Sequence, residues 1–258
     1  MQLGLMNHPG FPVTDELRRI AAAGFDFVDL SLEPPGGWPV DPSAVRETLA
    51  ETGLAVVGHT AWYLPIASPF AELRAQASAL LREQFAVFAE VGARVVNVHP
   101  DAMNLMYALD EVRRRNAEVI EVLAADAERH GIRVMVENLG RSFSRVEDLA
   151  PIFARVPEAA FHLDVGHANM LGTREEPNRA VALIEAFGDR LEHVHVHDNV
   201  GGDDLHLPLG AGTIPWADVV RALKRVGYDG TVTFEVFRVP EEYVAASRRL
   251  WLDWWEAA

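Results

Sequence analysis

The chain has 258 residues, 49% of them hydrophobic, which is enough for a large buried core and about the size of a single (β/α)8 barrel. Its 23 Lys and Arg residues against 38 Asp and Glu residues give a formal charge of −15, which disfavours a nucleic-acid binder because such proteins need a basic surface. The absence of cysteine excludes disulfides, thiolate nucleophiles and sulfur-ligated metal sites. We find no apolar stretch of about eighteen residues and no leader-like N-terminus, and we therefore expect a cytoplasmic protein.

Eight short apolar runs alternate with stretches of helical periodicity. The runs lie at about residues 2–6, 26–32, 54–58, 94–98, 132–136, 160–164, 191–196 and 231–236. Helical periodicity is found at about residues 15–23, 42–52, 72–91, 109–130, 146–155, 176–187, 216–226 and 241–256. This alternation implies parallel strands with right-handed crossovers. The predicted fold class is α/β, a single (β/α)8 TIM barrel in which residues 1–258 form one metalloenzyme domain.

Side chains that can bind a metal ion follow most of the predicted strands. They are His59, His99, Glu137, Asp164, His167, His195, Asp204, His206 and Glu235. Burial of imidazole and carboxylate groups is unfavourable unless a partner satisfies them. Because the carboxyl ends of barrel strands face one end of the fold, residues remote in sequence converge there. The pattern predicts a divalent metal site, and its nitrogen and oxygen donors suit Zn, Mn, Mg or Co.

The spacing of these residues does not decide which of them bind the metal ion. Asp164 and His167 are three residues apart at the end of one strand, and Asp204 and His206 project the same way from a loop. In an extended strand His193, His195 and His197 point to one face, so one or two of them can reach the same ion. Each of these features alone is also typical of a structural hydrogen bond or a solvated loop. Their number at strand ends favours a metal centre.

The motifs resemble the xylose isomerase-like TIM barrel superfamily, which includes sugar isomerases, epimerases and endonuclease IV enzymes. Four motifs carry the resemblance: VENLG, LDVGH, HVHD and FEVF. In the isomerase and epimerase branch the resemblance implies one divalent ion held by Glu137, Asp164, His195 and Glu235. The family places its metal His three residues before an Asp, which selects His195 over His197. It further implies that Glu137 and Glu235 move a proton on and off carbon through an enediolate, while His167 contacts a substrate hydroxyl.

The full set of nine donors is also similar to the three-zinc site of the endonuclease IV branch. There, the resemblance implies a first site of His59, His99 and Glu137, and a second of Glu137, Asp164, His195 and Glu235. His167, Asp204 and His206 would form the third. The loop after the second strand contains no Arg or Lys, unlike the DNA-binding loops of that branch. We predict an isomerase or epimerase of a small sugar, sugar phosphate or related hydroxy-carbonyl compound, with a multi-zinc phosphodiesterase as the alternative.

Loops at the same end of the predicted barrel supply candidate substrate contacts. Trp38, Trp62 and Tyr63 are expected to form an aromatic wall against a sugar or a base, although they could equally cover the barrel end. Arg141 and Arg238 are the basic groups best placed to bind a phosphate or carboxylate. We expect a small-molecule substrate and no membrane partner. The charge disfavours nucleic acid without excluding it, and the oligomeric state stays open. A non-catalytic metal-binding barrel, or a subunit of a larger enzyme, is the third possibility.

Overall fold

In a computed structural model of the chain, eight strands form a closed parallel barrel in the order β1 to β8. The strands are β1 (Gln2–Met6), β2 (Phe27–Ser31), β3 (Ala55–His59), β4 (Val95–Val98), β5 (Arg133–Glu137), β6 (Ala160–Asp164), β7 (Leu191–Val196) and β8 (Thr231–Phe234). The structure describes residues 1–101, 106–140, 142–170, 178–237 and 239–258. The predicted fold class is confirmed, and the strand bounds agree to within about two residues.

The described residues also form nine α-helices. They are α1 (Val13–Ala22), α2 (Pro42–Thr52), α3 (Ala71–Glu90), α4 (Leu109–Glu128), α5 (Val146–Arg155), α6 (Val165–Asn169), α7 (Ala180–Phe187), α8 (Trp216–Arg225) and α9 (Glu241–Ala257). The short helix α6 is absent from the sequence prediction. The helix predicted over 176–187 begins at Ala180, and residues 176 and 177 lie outside the described residues.

Helix ends follow local sequence chemistry, as α2 illustrates. The Asp41 carboxylate accepts a hydrogen bond of 2.9 Å from the Ser43 backbone N–H, and Pro42 occupies the first helical position. At the other end Gly53 has a φ of 74° and donates its N–H to the carbonyl of Leu49. A residue without Cβ adopts this left-handed conformation at little energetic penalty, so the chain turns directly toward β3.

The chain divides into two compact units, which we describe separately. The N-terminal unit comprises Leu3–Val136 and Ala150–Ala160, and the C-terminal unit comprises Met1–Gln2, Glu137–Leu149 and Phe161–Ala258. In the N-terminal unit, Phe27, Val57, Met135 and Ala160 pack into one buried cluster. In the C-terminal unit the Trp216 ring stacks on the Trp254 ring at a centroid distance of 5.7 Å. That residues 1–258 form a single domain stays a prediction.

Buried amide side chains continue the pairing of strand ends in the N-terminal unit. Asn7 accepts the Ser31 N–H at 2.6 Å and donates to the Ser31 carbonyl at 3.1 Å, which joins the chain after β1 to the end of β2. Asn97 accepts the Thr60 N–H at 2.7 Å, and the Thr60 hydroxyl donates to the Asn97 carbonyl at 3.0 Å. These bonds satisfy buried backbone groups just where the regular ladder stops.

Candidate active site and metal centre

Four strand ends of the C-terminal unit place acidic and imidazole side chains in its interior. Glu137 ends β5, Asp164 ends β6, His195 lies in β7, and Glu235 follows β8. None of these residues is more than 5% exposed. Acidic groups are rarely buried to this degree unless they are paired or bind a metal, so their environment decides their role.

Asp164 lies at the centre of this group. Its Oδ2 atom is 3.5 Å from His167 Nδ1 and 3.8 Å from His195 Nδ1. His195 Nδ1 lies 3.1 Å from Glu235 Oε1, and His167 Nδ1 lies 3.4 Å from Glu137 Oε1. The structure therefore brings together the four residues predicted as ligands of a single ion, with His167 beside them.

Asn138 fixes the orientation of both Asp164 and His167. Its side chain accepts the Asp164 N–H at 2.8 Å and donates to the Asp164 carbonyl at 2.9 Å. The Asn138 backbone carbonyl lies 3.0 Å from His167 Nδ1. Because a carbonyl only accepts, Nδ1 carries the hydrogen in this contact, and in the neutral ring Nε2 is left as the acceptor. A hydrogen bond of this kind orients a metal-binding imidazole.

A second group, which we call the outer group, consists of Asp204, His167 and His206. Asp204 Oδ2 lies 3.2 Å from His167 Nε2 and 3.0 Å from His206 Nε2. His206 Nδ1 donates to the Glu235 backbone carbonyl at 2.9 Å, so the Nε2 atoms of both imidazoles are turned to the same carboxylate. His206 has a φ of 47°, a conformation that strains a residue with Cβ and is concentrated at functional sites.

The interior also contains three histidines that were not predicted as ligands. His162 Nδ1 lies 3.3 Å from Glu137 Oε2. His193 is within hydrogen-bond distance of the hydroxyls of two threonines, at 2.6 and 3.2 Å. His197 Nε2 lies 3.2 Å from Asp164 Oδ1. His197 follows β7 directly, and its alternation with His193 and His195 could have indicated it from sequence. In β6 the spacing of two residues between His162 and Asp164 is the corresponding signal for His162.

The ionisation of the outer group reflects its opposite charges. Burial lowers the pKa of His206, but the hydrogen bond with Asp204 and the charge of Glu235 raise it to about 9. Burial likewise opposes the charge on Asp204, yet hydrogen bonds with His167 and His206 hold its pKa well below the usual range. For Glu235, burial raises the pKa, and the charge of His195 more than reverses this effect. Asp204 and Glu235 are therefore ionised and attract positive charge, either on neighbouring imidazoles or on a metal ion.

The donor atoms fit a divalent cation. Asp164 Oδ2 is fully buried and has no hydrogen-bond partner within the described ranges, although two imidazoles approach it within 4 Å. Carboxylate and imidazole donors, without sulfur, suit Zn, Mn, Mg or Co. A cation bound by Glu137, Asp164, His195 and Glu235 would satisfy this atom and the surrounding negative charge.

In the N-terminal unit, the structure brings His59 and His99 together. Their ring centroids are 5.0 Å apart, and His59 Nδ1 lies 3.7 Å from Oδ1 of the buried Asp29. His99 Nε2 accepts a hydrogen bond of 3.2 Å from the Asn97 amide. The role of His59 and His99 as metal ligands stays a prediction.

The predicted substrate contacts differ in exposure. Trp38 is half-buried, whereas Trp62 and Tyr63 are 69% and 54% exposed and pack edge to face at 5.9 Å. The Tyr63 hydroxyl donates a 2.6 Å hydrogen bond to Glu33, and partial burial together with this carboxylate raises the pKa of Tyr63 to about 12. Arg141 and Arg238 lie outside the described residues. Substrate binding by these residues stays a prediction.

Comparison with known proteins supports the resemblance found in the motifs. The model of the xylose isomerase-like TIM barrel family matches residues 17–254. The chain belongs to this family. Its structure superposes on a D-tagatose 3-epimerase-like protein with a TM-score of 0.88 and 25% identity, covering 100% of this chain and 98% of that one.

Curated relatives include a sugar epimerase, a probable endonuclease and an uncharacterized protein. The L-ribulose 3-epimerase of Methylomonas sp. is 28% identical over 91% of this chain and 82% of its own length. A probable endonuclease 4 of Mycobacterium leprae is 26% identical over 83% of this chain and 86% of its own length. An uncharacterized protein of Methanocaldococcus jannaschii is 32% identical in the matched region. The match covers 52% of that relative, so the chain spans only about half of its length. The prediction of an enzyme is confirmed by the epimerases among these relatives.

None of the helices in the described ranges is both long and apolar enough to cross a membrane.

Proposed function

We propose that the protein is a divalent-metal-dependent epimerase of a small ketose or a related hydroxy-carbonyl compound. The observation that carries this proposal is a continuous series of side-chain contacts that begins at Glu137 and ends at Glu235. Between the two glutamates it passes through His167, Asp164 and His195. Similarity to 3-epimerases of D-tagatose and L-ribulose type supports the same reaction class.

Four residues are proposed to hold the catalytic cation: Glu137, Asp164, His195 and Glu235. When bound, the cation supplies electrostatic stabilisation of negative charge on the carbonyl and adjacent hydroxyl oxygens of the sugar. We assign His167 to the outer group, because its Nδ1 atom is held by the Asn138 carbonyl and its Nε2 atom is turned to Asp204.

Glu137 and Glu235 are proposed to move the proton. Epimerisation removes a proton from one face of a carbon next to the carbonyl and returns a proton to the other face. In one direction the ionised Glu235 accepts the first proton and Glu137, in its protonated form, donates the second. The reverse reaction exchanges the two roles, so the number of protons is conserved. Because the two glutamates come from the ends of different strands, β5 and β8, they are suited to opposite sides of a substrate.

A multi-zinc phosphodiesterase is the second candidate. It is favoured by the assembled outer group and by similarity to the probable endonuclease 4. The charge of −15 opposes it, since phosphodiester binding to DNA depends on basic groups. The arginine run on α4 does not offer such a surface, because Arg114 and Arg115 are paired with Glu111, and Arg114 also with Glu118.

The test is a screen of the metal-loaded protein against ketohexoses and ketopentoses, with an abasic-site oligonucleotide alongside. We expect epimer formation with at least one ketose, and a loss of about 10³-fold or more in kcat for Glu137→Gln, which removes a ligand charge and a proton acceptor. Glu147→Gln, an exposed glutamate of α5 in the same unit, is the matched control and should retain full activity. Turnover retained by Glu137→Gln, or cleavage of the oligonucleotide without epimerisation, would contradict the proposal.

A further inference from the structure

His197 is the buried imidazole next to the outer group that no predicted ligand set includes. Its Nε2 atom lies 3.6 Å from Asp204 Oδ1 and 4.0 Å from Glu235 Oε2. Donor atoms of His197, Asp164 and His167 lie within 4.8 Å of one another, and so do donor atoms of His197, His206 and Glu235. His197 is therefore within reach of His167 in one group of donors and of His206 in the other, and these are the two imidazoles that face Asp204.

The ring of His197 is held in place by its neighbours. It stacks on the His206 ring at a centroid distance of 4.1 Å and an interplanar angle of 27°. On another side it packs against Gly166, where an added Cβ would come within 2.0 Å of the imidazole Cε1. Such close packing keeps the imidazole fixed, which is the arrangement expected of a preorganised ligand.

Neither nitrogen of His197 has a hydrogen-bond partner in the part of the chain that the structure describes. The residue is nevertheless fully buried, with 0% exposure. A buried polar atom without a partner destabilises the fold, so such atoms usually indicate a bound water, ion or ligand. Here Nε2 lies beside the carboxylates of Asp164 and Asp204, which would attract a cation.

We propose that His197 Nε2 is a metal ligand that completes an outer cation site with His167, His206 and Asp204. The inference rests on the cation binding proposed above and adds a third imidazole to the outer group. Three imidazoles and one carboxylate make a closed set of four protein donors, which suits zinc. A closed set leaves no open position for a substrate, so this ion has a structural role and holds the loop that carries Asp204 and His206 against β7.

The other role open to His197 is a charged ring paired with Asp164. The 3.2 Å separation of Nε2 from Asp164 Oδ1 would permit such an ion pair without any outer cation. The two roles differ in what removal of the imidazole does to zinc binding. Loss of a ligand weakens the outer site, whereas loss of an ion-pair partner leaves the number of bound ions unchanged.

The first test is a competitive zinc titration of the full-length metal-free protein and two variants. We expect the wild type to bind a structural zinc equivalent in addition to the catalytic one, and His197→Gln to bind that additional equivalent at least about tenfold more weakly. His193→Gln is the matched control, since His193 is a buried imidazole of the same strand whose nitrogens face Thr231 and Thr233. Equal zinc affinity in the wild type and both variants would overturn the proposal.

A crystal structure of the zinc-loaded wild type tests the same point independently of how the variants fold. We expect zinc at about 2.0–2.1 Å from His197 Nε2, the usual zinc–nitrogen distance. Zinc bound by His167, His206 and Asp204 with His197 outside its coordination shell would overturn the inference. Neither result depends on turnover, so a protein that fails to epimerise ketoses but ligates zinc through His197 would refute the proposed function alone.

Discussion

At the scale of single residues, the outer group combines two partly buried imidazoles with the more exposed Asp204, and the stability of the fold depends on their protonation. His206 has its pKa raised to about 9 from an ordinary value of 6.5, mainly because the hydrogen bond with Asp204 and the charge of Glu235 outweigh burial. A raised pKa in the folded state means that the protonated ring stabilises the fold. The contribution is complete below the ordinary pKa and is lost as the pH rises through the folded value.

The metal-free protein is therefore expected to lose stability as the pH rises from about 6.5 to about 9. The part that depends on His206 is on the order of 3 kcal/mol at most. Urea unfolding at several pH values, with the wild type and His206→Gln compared, measures it. The variant should show a shallower decline. An identical pH dependence of the free energy of unfolding in both proteins would contradict the pairing of His206 with Asp204 and Glu235.

At the scale of elements, the loop between β7 and α8 is organised by Asp198. Its Oδ1 atom accepts the N–H groups of Asn199 and Ile214 at 3.0 and 3.3 Å. Its Oδ2 atom accepts the Gly210 N–H and the Trp216 indole N–H, both at 2.9 Å. This fully buried carboxylate thus fixes the segment that carries Asp204 and His206.

We expect Asp198→Asn to lower the free energy of unfolding by about 3 kcal/mol, since an amide would turn donors toward N–H groups and remove charge-assisted hydrogen bonds. It should also weaken binding of the outer zinc ion, because Asp204 and His206 lose their support. Asp203→Asn removes an exposed acid of the same loop and should change stability by less than about 0.5 kcal/mol. Chemical denaturation and zinc titration of the three proteins test this, and equal behaviour of the two variants would contradict it.

The elements that sequence predicts well are those with strong periodicity. The eight apolar runs become eight strands, and α2 and α5 have the predicted bounds. Helix α6 could not be predicted, because five residues are too few to show a period. Its start depends on the Asp164 carboxylate, which accepts the His167 N–H at 2.6 Å as an N-cap. The same spacing of Asp164 and His167 also predicts a metal-ligand pair, and sequence does not distinguish a cap from a ligand.

The predicted metal ligands are likewise determined only in part by the sequence. Spacing along a strand indicates that His193, His195 and His197 face one side, and the structure agrees, since the His193 and His195 rings lie 5.0 Å apart. Which of these rings approaches an acid depends on the neighbouring strand and loop. His193 faces threonine hydroxyls, whereas His195 faces Glu235 and His197 faces Asp164. These partners are distant in sequence, so only the fold reveals them.

At the scale of the whole molecule, fold and family follow from the order of motifs, but the substrate does not. Barrel scaffolds carry many activities, and specificity depends on the loops at the carboxyl ends of the strands. In the N-terminal unit the loops after β2 and β3 carry Glu33, Trp62 and Tyr63, and contact of these residues with a substrate stays a prediction.

The reaction proposed for this xylose isomerase-like barrel moves a proton on and off a sugar carbon. The most direct measurement is NMR of ketohexoses incubated in D2O with the protein loaded with zinc, manganese or cobalt. We predict solvent deuterium at carbon 3 of at least one ketose, and none with Glu137→Gln. Absence of deuterium from every ketose, in a protein that has bound its metal and cleaves an abasic-site oligonucleotide, would contradict the account.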